Sequence, residues 1–186
     1  MSLPRLVVTA AAALLAVGLA TGSSAAIAAA PAQAATSGGT TASFTLTGGS
    51  LSITVPTGTV SLGSSPETVS GQVISGPLGP VQVTDAREPV AGSGWVATVI
   101  SAAFTPGAGP AIAASAVSYN AGVITKVGTA TYTANNPVDL TATVAVVTAT
   151  GITGDNSATW NPTISIAVPG GTAATSYSAL ITHSVS

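Results

Sequence analysis

"SFTLTGGSLSITV", residues 43–55, decides how the rest of the chain is read. Phe44 and Leu46 alternate with Ser43, Thr45 and Thr47, and beyond Gly48-Gly49 the alternation resumes, Leu51, Ile53 and Val55 against Ser50, Ser52 and Thr54. A period of two sends successive side chains to opposite faces of an extended strand, so one face is apolar and the other hydroxyl-bearing. Taken as a two-residue hairpin turn, the glycine pair sets Leu46 opposite Leu51 and Phe44 opposite Ile53, and both strands then agree on the apolar face. Taken as a linker, it leaves two separate strands.

The same alternation recurs along the chain. It predicts strands over residues 80–84, 94–104, 112–119, 123–127, 130–134, 139–148, 163–168 and 176–185, with a weak one at 72–74 inside a long Ser/Gly/Pro-rich connection. The intervening "TPGAGP", "NAG", "NNP", "GITGDN" and "VPGGT" are turn formers, and no helix period separates them. Strands without crossover helices bury an apolar face only against a second sheet or by closing a barrel. The predicted architecture is an all-β, antiparallel two-sheet β-sandwich, one domain over residues 35–186.

Residues 1–34 read as a cleaved signal peptide: Arg5, an apolar run from Leu6 to Ala20, then small residues ending in Ala32-Gln33-Ala34. The run is interrupted by Thr9 and Gly18 and is shorter than the ~20 residues of a membrane span. There is no arginine pair and no cysteine to carry a lipid. The expectation is a secreted, extracellular protein with no transmembrane anchor in the mature chain.

Charge narrows the partners. The 186 residues hold three Lys or Arg and five Asp or Glu. Without Arg5, only Arg87 and Lys126 stand against Glu67, Asp85, Glu88, Asp139 and Asp155. A basic stripe for phosphates cannot be assembled, which excludes nucleic acid, and electrostatic docking on anionic lipid fails for the same reason. With no cysteine, an exported domain relies on packing and backbone hydrogen bonds. Low charge with high apolar content argues for a folded chain.

Catalytic chemistry finds little to work with. The one histidine, His183, shares its strand face with Tyr177, Ala179, Ile181 and Val185, so a packed imidazole is the reading over a base or ligand. Zinc lacks its Cys and His. Asp155 and Asn156 in "TGDNS" offer calcium a few oxygens without the spaced acidic loop it needs, and read as turn residues. Asp85 and Glu88, three apart, resemble a carboxylate pair, yet beside Arg87 and Pro89 they read as a loop. No enzyme, metal or cofactor is expected. Trp160 shares parity with Pro162, Ile164 and Ile166 and faces the core or serves as a ligand platform. Trp95 lies on a strand apolar on both faces, so periodicity does not choose its side.

"LGPVQVTDAREPVAGSGWVATVISAAF" (78–104), "ATWNPTISIAVPGGT" (158–172) and the terminal "TSYSALITHSVS" are similar, in order and spacing, to the WxL-domain surface proteins of Gram-positive bacteria and their actinobacterial relatives. Ala97 stands two after Trp95 where the family has leucine, and His183-Ser184-Val185 occupies the place of its second Trp-x-Leu. The resemblance implies a β-sandwich held non-covalently at the cell wall by peptidoglycan, with Trp95 as the first motif's tryptophan. Other expected partners are another envelope glycan or another surface protein. Trp95, Trp160 and Tyr177 are the candidate ligand-binding residues. Asp85, Arg87 and Glu88 are expected to hold the corner between two strands through carboxylate–guanidinium and carboxylate–backbone bonds. The function expected is that of a secreted, non-catalytic envelope module. The alternative is a secreted carbohydrate-binding, adhesive or structural β-sandwich not tied to the wall.

Overall fold

The computed structural model describes residues 41–88 and 91–186. The chain divides into Met1–Ser43 and Phe44–Ser186. The expected signal peptide lies outside the described residues. The second unit is built of antiparallel strand with one 3₁₀ turn at Ala114–Ala116. Among the described residues no helix is long and apolar enough to cross a membrane.

The organising element is β8 (Val144–Trp160), 17 residues long, about 56 Å if fully extended. Along one edge it pairs first with β4 (Ser93–Ser101) and then with β3 (Val81–Asp85); along the other it pairs with β7 (Thr125–Ala134). β1 (Leu51–Thr54) extends this sheet beside β3, and β11 (Ile181–Val185) beside β4. The sheet curls until β1 approaches β11. A second sheet places β9 (Thr163–Val168) between β2 (Gln72–Pro77) and β6 (Val117–Asn120). β5 (Thr105–Pro106) and β10 (Tyr177–Ser178) form a short pair.

The two sheets are halves of one ribbon. Pro77 pairs with Thr163 and, past a bend, Val81 with Trp160; Asn120 pairs with Thr163 and Thr125 with Thr159. Three adjacent strands therefore turn the corner together, at residues 78–80, 121–124 and 161–162. Bends of this kind are how strands switch sheets. Prolines at 80 and 162 remove donors that the bend would strand. Other amides at the bend find partners: Leu78 N–H donates to Pro162 O (2.8 Å), Gly79 N–H to Asn161 Oδ1 (3.0 Å), Ala121 N–H to Asn136 Oδ1 (3.1 Å) and Gly122 N–H to Asn120 Oδ1 (2.9 Å). Val81, Val83, Ala97, Val99 and Val147 of the first sheet share one core with Val117, Ile164 and Ile166 of the second.

Several strands run longer or shorter than alternation predicts. The segments 123–127 and 130–134 are one strand, because Gly128 sits in a bulge at φ 84° instead of ending it. A β-carbon there would lie 2.5 Å from Asp155 O. "GITGDN", read as a loop, lies inside β8, held on both edges: Thr153 opposite Thr129, Ile152 opposite Ser93, Asn156 opposite Asp85. The strand predicted from residue 139 starts at Val144, since Asp139 closes a turn by accepting the Thr141 N–H (2.8 Å). The hairpin at Gly48-Gly49 does not form. Gly49 N–H donates to Ala86 O and Ala86 N–H to Ser50 O, which carries the β1–β3 ladder straight past the glycines. Phe44 and Leu46 are 92% and 78% exposed as a result.

Candidate functional site

The charged corner begins with alternation on β3: Val81, Val83 and Asp85 point inward and are fully buried. A buried carboxylate is costly unless paired and hydrogen-bonded. Arg87 supplies both, its Nε donating to Oδ1 (2.8 Å) and its Nη2 to Oδ2 (3.0 Å), while its backbone N–H donates to Oδ1 (3.2 Å). This hydrogen-bonded guanidinium holds the Asp85 carboxyl below the usual carboxylate range, against the opposing pull of burial. Glu88 enters through its backbone: at φ 53° it aims its N–H at Asp155 Oδ1 (3.3 Å).

Opposite Asp85 in register stands Asn156, also buried. Its Oδ1 accepts both the Trp95 indole N–H and the Tyr132 hydroxyl, each at 3.1 Å, and the two rings meet at 5.7 Å and 52°. Burial, then the nearby Asp85 charge, raises the Tyr132 pKa. The corner is thus a closed polar cluster, and its groups are engaged with one another instead of being aimed at a substrate.

A second cluster joins the two sheets. Trp160 N–H donates to the Tyr119 hydroxyl (2.8 Å), and His183 Nε2 lies 3.2 Å from the same oxygen. Since Tyr119 has one proton and already accepts from Trp160, the arrangement in which every group is satisfied has the Tyr119 O–H donating to a neutral His183. Burial pushes the His183 pKa down to about 4 and raises that of Tyr119. The sole imidazole of the chain, half-buried in the wall of a cleft, is thus an acceptor for the Tyr119 hydroxyl.

These contacts correct the expected role of the tryptophans. Trp95 and Trp160 are each 2% exposed; their inward register positions and buried N–H partners keep them from any surface a glycan reaches. Tyr177 is half-buried, with its hydroxyl donating to Ala173 O (3.2 Å). It stands apart from the tryptophans, in the wall of a cleft of about 1110 Å³. The cleft has an apolar floor, including Ile74, Phe104, Ile166 and Val168, and lies between loop 55–68 and residues 172–181. Loop 55–68 is seated by Leu62, whose backbone lies against Gly76 of β2: a β-carbon at 76 would fall 2.7 Å from Leu62 O. Gly76→Ala is expected to destabilise by about 1–3 kcal/mol through overpacking and to open loop 55–68 to protease, read by urea unfolding and limited proteolysis.

The outward face of the larger sheet is the other accessible feature. Its register aligns hydroxyl and amide groups in rows: Thr54, Gln82, Thr159 and Thr125; Ser52, Thr84 and Ser157, ending on the exposed Val127; then the cross-strand pairs Thr129–Thr153, Thr131–Thr150 and Thr133–Thr148. Thr98 and Ser184 continue it, hydrogen-bonded at 2.7 Å. Asp155, exposed and on the same side of β8 as Ser157 and Thr159, places a carboxylate on this face, and Val96 and Ile100 flank Thr98 on β4. Strands about 4.8 Å apart with same-face residues nearly 7 Å apart make this a regular hydroxyl grid.

No protein-family model, no curated protein and no solved structure matches this chain. Sequence reading missed Tyr119, Tyr132 and the acceptor role of Asn156. Tyr119 carried a signal, its parity with the buried Val117 in "VSY". Asn156 carried none, for its partners arrive from strands 61 and 24 residues away.

Proposed function

We propose that this chain is a secreted, non-catalytic module of the cell envelope, a β-sandwich related to WxL-domain proteins, that associates non-covalently with wall peptidoglycan. The observation that carries the reading is the hydroxyl-rich outward face of the larger sheet. Peptidoglycan glycan strands are themselves arrays of hydroxyl and acetamido groups. The hydroxyls of this face exchange hydrogen bonds with them at a far smaller desolvation cost than charged groups would. Each bond is weak, so retention rests on many along a repeating polymer. The buried placement of Trp95 and Trp160 moves the contact away from the tryptophans. The engagement of His183 with Tyr119 fits a role without acid–base chemistry.

The test is co-sedimentation of the purified protein with isolated cell walls, with soluble polysaccharide as competitor. Thr54→Glu/Thr131→Glu puts two carboxylates on the exposed grid and is expected to cut wall retention at least tenfold while leaving thermal unfolding nearly unchanged. Equal retention of this variant removes the grid as the site. Binding to soluble polysaccharide but not to walls replaces the reading with a free carbohydrate-binding module.

A further inference from the structure

We propose that the protein also assembles head to tail, residues 44–48 of one copy seating in the apolar cleft of the next. The observation is a mismatch between pattern and environment. Phe44 and Leu46 alternate with hydroxyl residues as a half-buried strand does, yet both lie in solvent. A phenylalanine ring and a leucine on one face of an extended segment are what an edge strand contributes when it joins a sheet. The cleft offers the complementary surface: Ile74, Phe104, Ile166 and Val168 along its floor, and Glu67 as the one formally charged residue among those that line it. Residues 41–50 carry no charge, so the arm itself brings no ion to be desolvated in the cleft. β2, which borders the cleft, is an edge strand of its sheet and can pair with an incoming backbone.

Geometry selects a second copy as the occupant. The arm leaves β1 at its Leu51 end, beside Ala86, where the Gly49 N–H on Ala86 O points it onward. The cleft opens at the opposite end of β1, walled by Val55 and Pro56. Arm and cleft thus sit at opposite poles of one strand. A contact between different surfaces of identical copies is heterologous, closing into a ring only where its rotation allows and otherwise repeating as a filament; with arm and cleft at opposite poles, the open chain is the form proposed.

Sedimentation velocity of the purified protein over a wide concentration range tests this. The expected result is an average mass that rises with concentration and reaches no plateau. Phe44→Ser/Leu46→Ser, with an unchanged circular dichroism spectrum, is expected to sediment as a monomer throughout. A peptide of residues 43–50 is expected to shorten the wild-type chains, and the same peptide with both serines to have no effect. A wild type that stays monomeric, a dimer that grows no further, or assemblies that persist in the double variant each overturn the proposal.

Discussion

As the pH falls from 6.5 to about 4, the unfolding free energy is expected to drop by about 3 kcal/mol through His183 alone. The sign is set by the difference between the two states. Folded, the half-buried ring has its pKa depressed to about 4 by burial, and Nε2 is taken by the Tyr119 hydroxyl. Unfolded, it titrates near 6.5, so in that window the unfolded chain binds the extra proton and acid favours it. The contribution is full above pH 6.5 and is lost as pH approaches the folded value. Urea titrations at stepped pH measure it. His183→Gln keeps a polar side chain without a titrating one and is expected to flatten the slope in this window. An unchanged slope in that variant would mean that another group carries it. Tyr119→Phe is expected to cost about 2–3 kcal/mol at neutral pH, since Trp160 N–H and His183 lose a shared partner within the core.

The second large effect sits at the corner. Asp85→Ala is expected to destabilise the fold by about 3 kcal/mol, because the Arg87 backbone N–H and the Asn156 amide lose a buried acceptor and a cavity replaces the carboxylate. Asp85 also titrates in a different part of the pH axis from His183. Its folded pKa is depressed below 3.8 by the Arg87 hydrogen bonds. Its stabilisation is therefore complete above that value and disappears only as pH falls through the lower, folded one. The acid unfolding curve should then show two separate losses, the lower of them absent in Asp85→Asn. Indole fluorescence gives an independent readout, since Trp95 is tied to the same cluster through Asn156.

What was legible in the sequence is what depends on neighbours along the chain. Alternation placed a strand over 80–84, observed as Val81–Asp85 with Asp85 its buried last residue instead of the loop residue expected, the strand Thr163–Val168 and the inward face of His183. The concentration of Asp85 and Arg87 in an almost uncharged chain marked the two as partners, and Arg87 Nε lies 2.8 Å from Asp85 Oδ1. What was illegible depends on partners far away. Gly48-Gly49 has every local mark of a turn, but Ala86 captures the Gly49 N–H and the chain runs on. Trp95 could not be assigned a face because Val96 and Ile100, on the outer side of β4, are themselves half-buried. Its side is chosen by Asn156 and Tyr132, one on each of two other strands. Gly128 and the glycines of "GITGDN" read as breaks, and only the neighbouring strands turn them into bends within continuous ones. The hydroxyl grid is visible in sequence as scattered Thr and Ser; register makes it a surface.

Residues 144–168 act as a tie-beam. β3, β4 and β7 are laid against their first part and β2 and β6 against their last, and all five precede them in the chain. A polypeptide delivered N-terminus first therefore stays without its main pairing partner until nearly the whole length has emerged. Contacts this remote in sequence make for slow closure, and a truncation before Val144 should leave only the short β1–β3 ladder to form. Under the secreted reading proposed above, arriving late is an advantage: the shape cannot lock while part of the chain is still in transit.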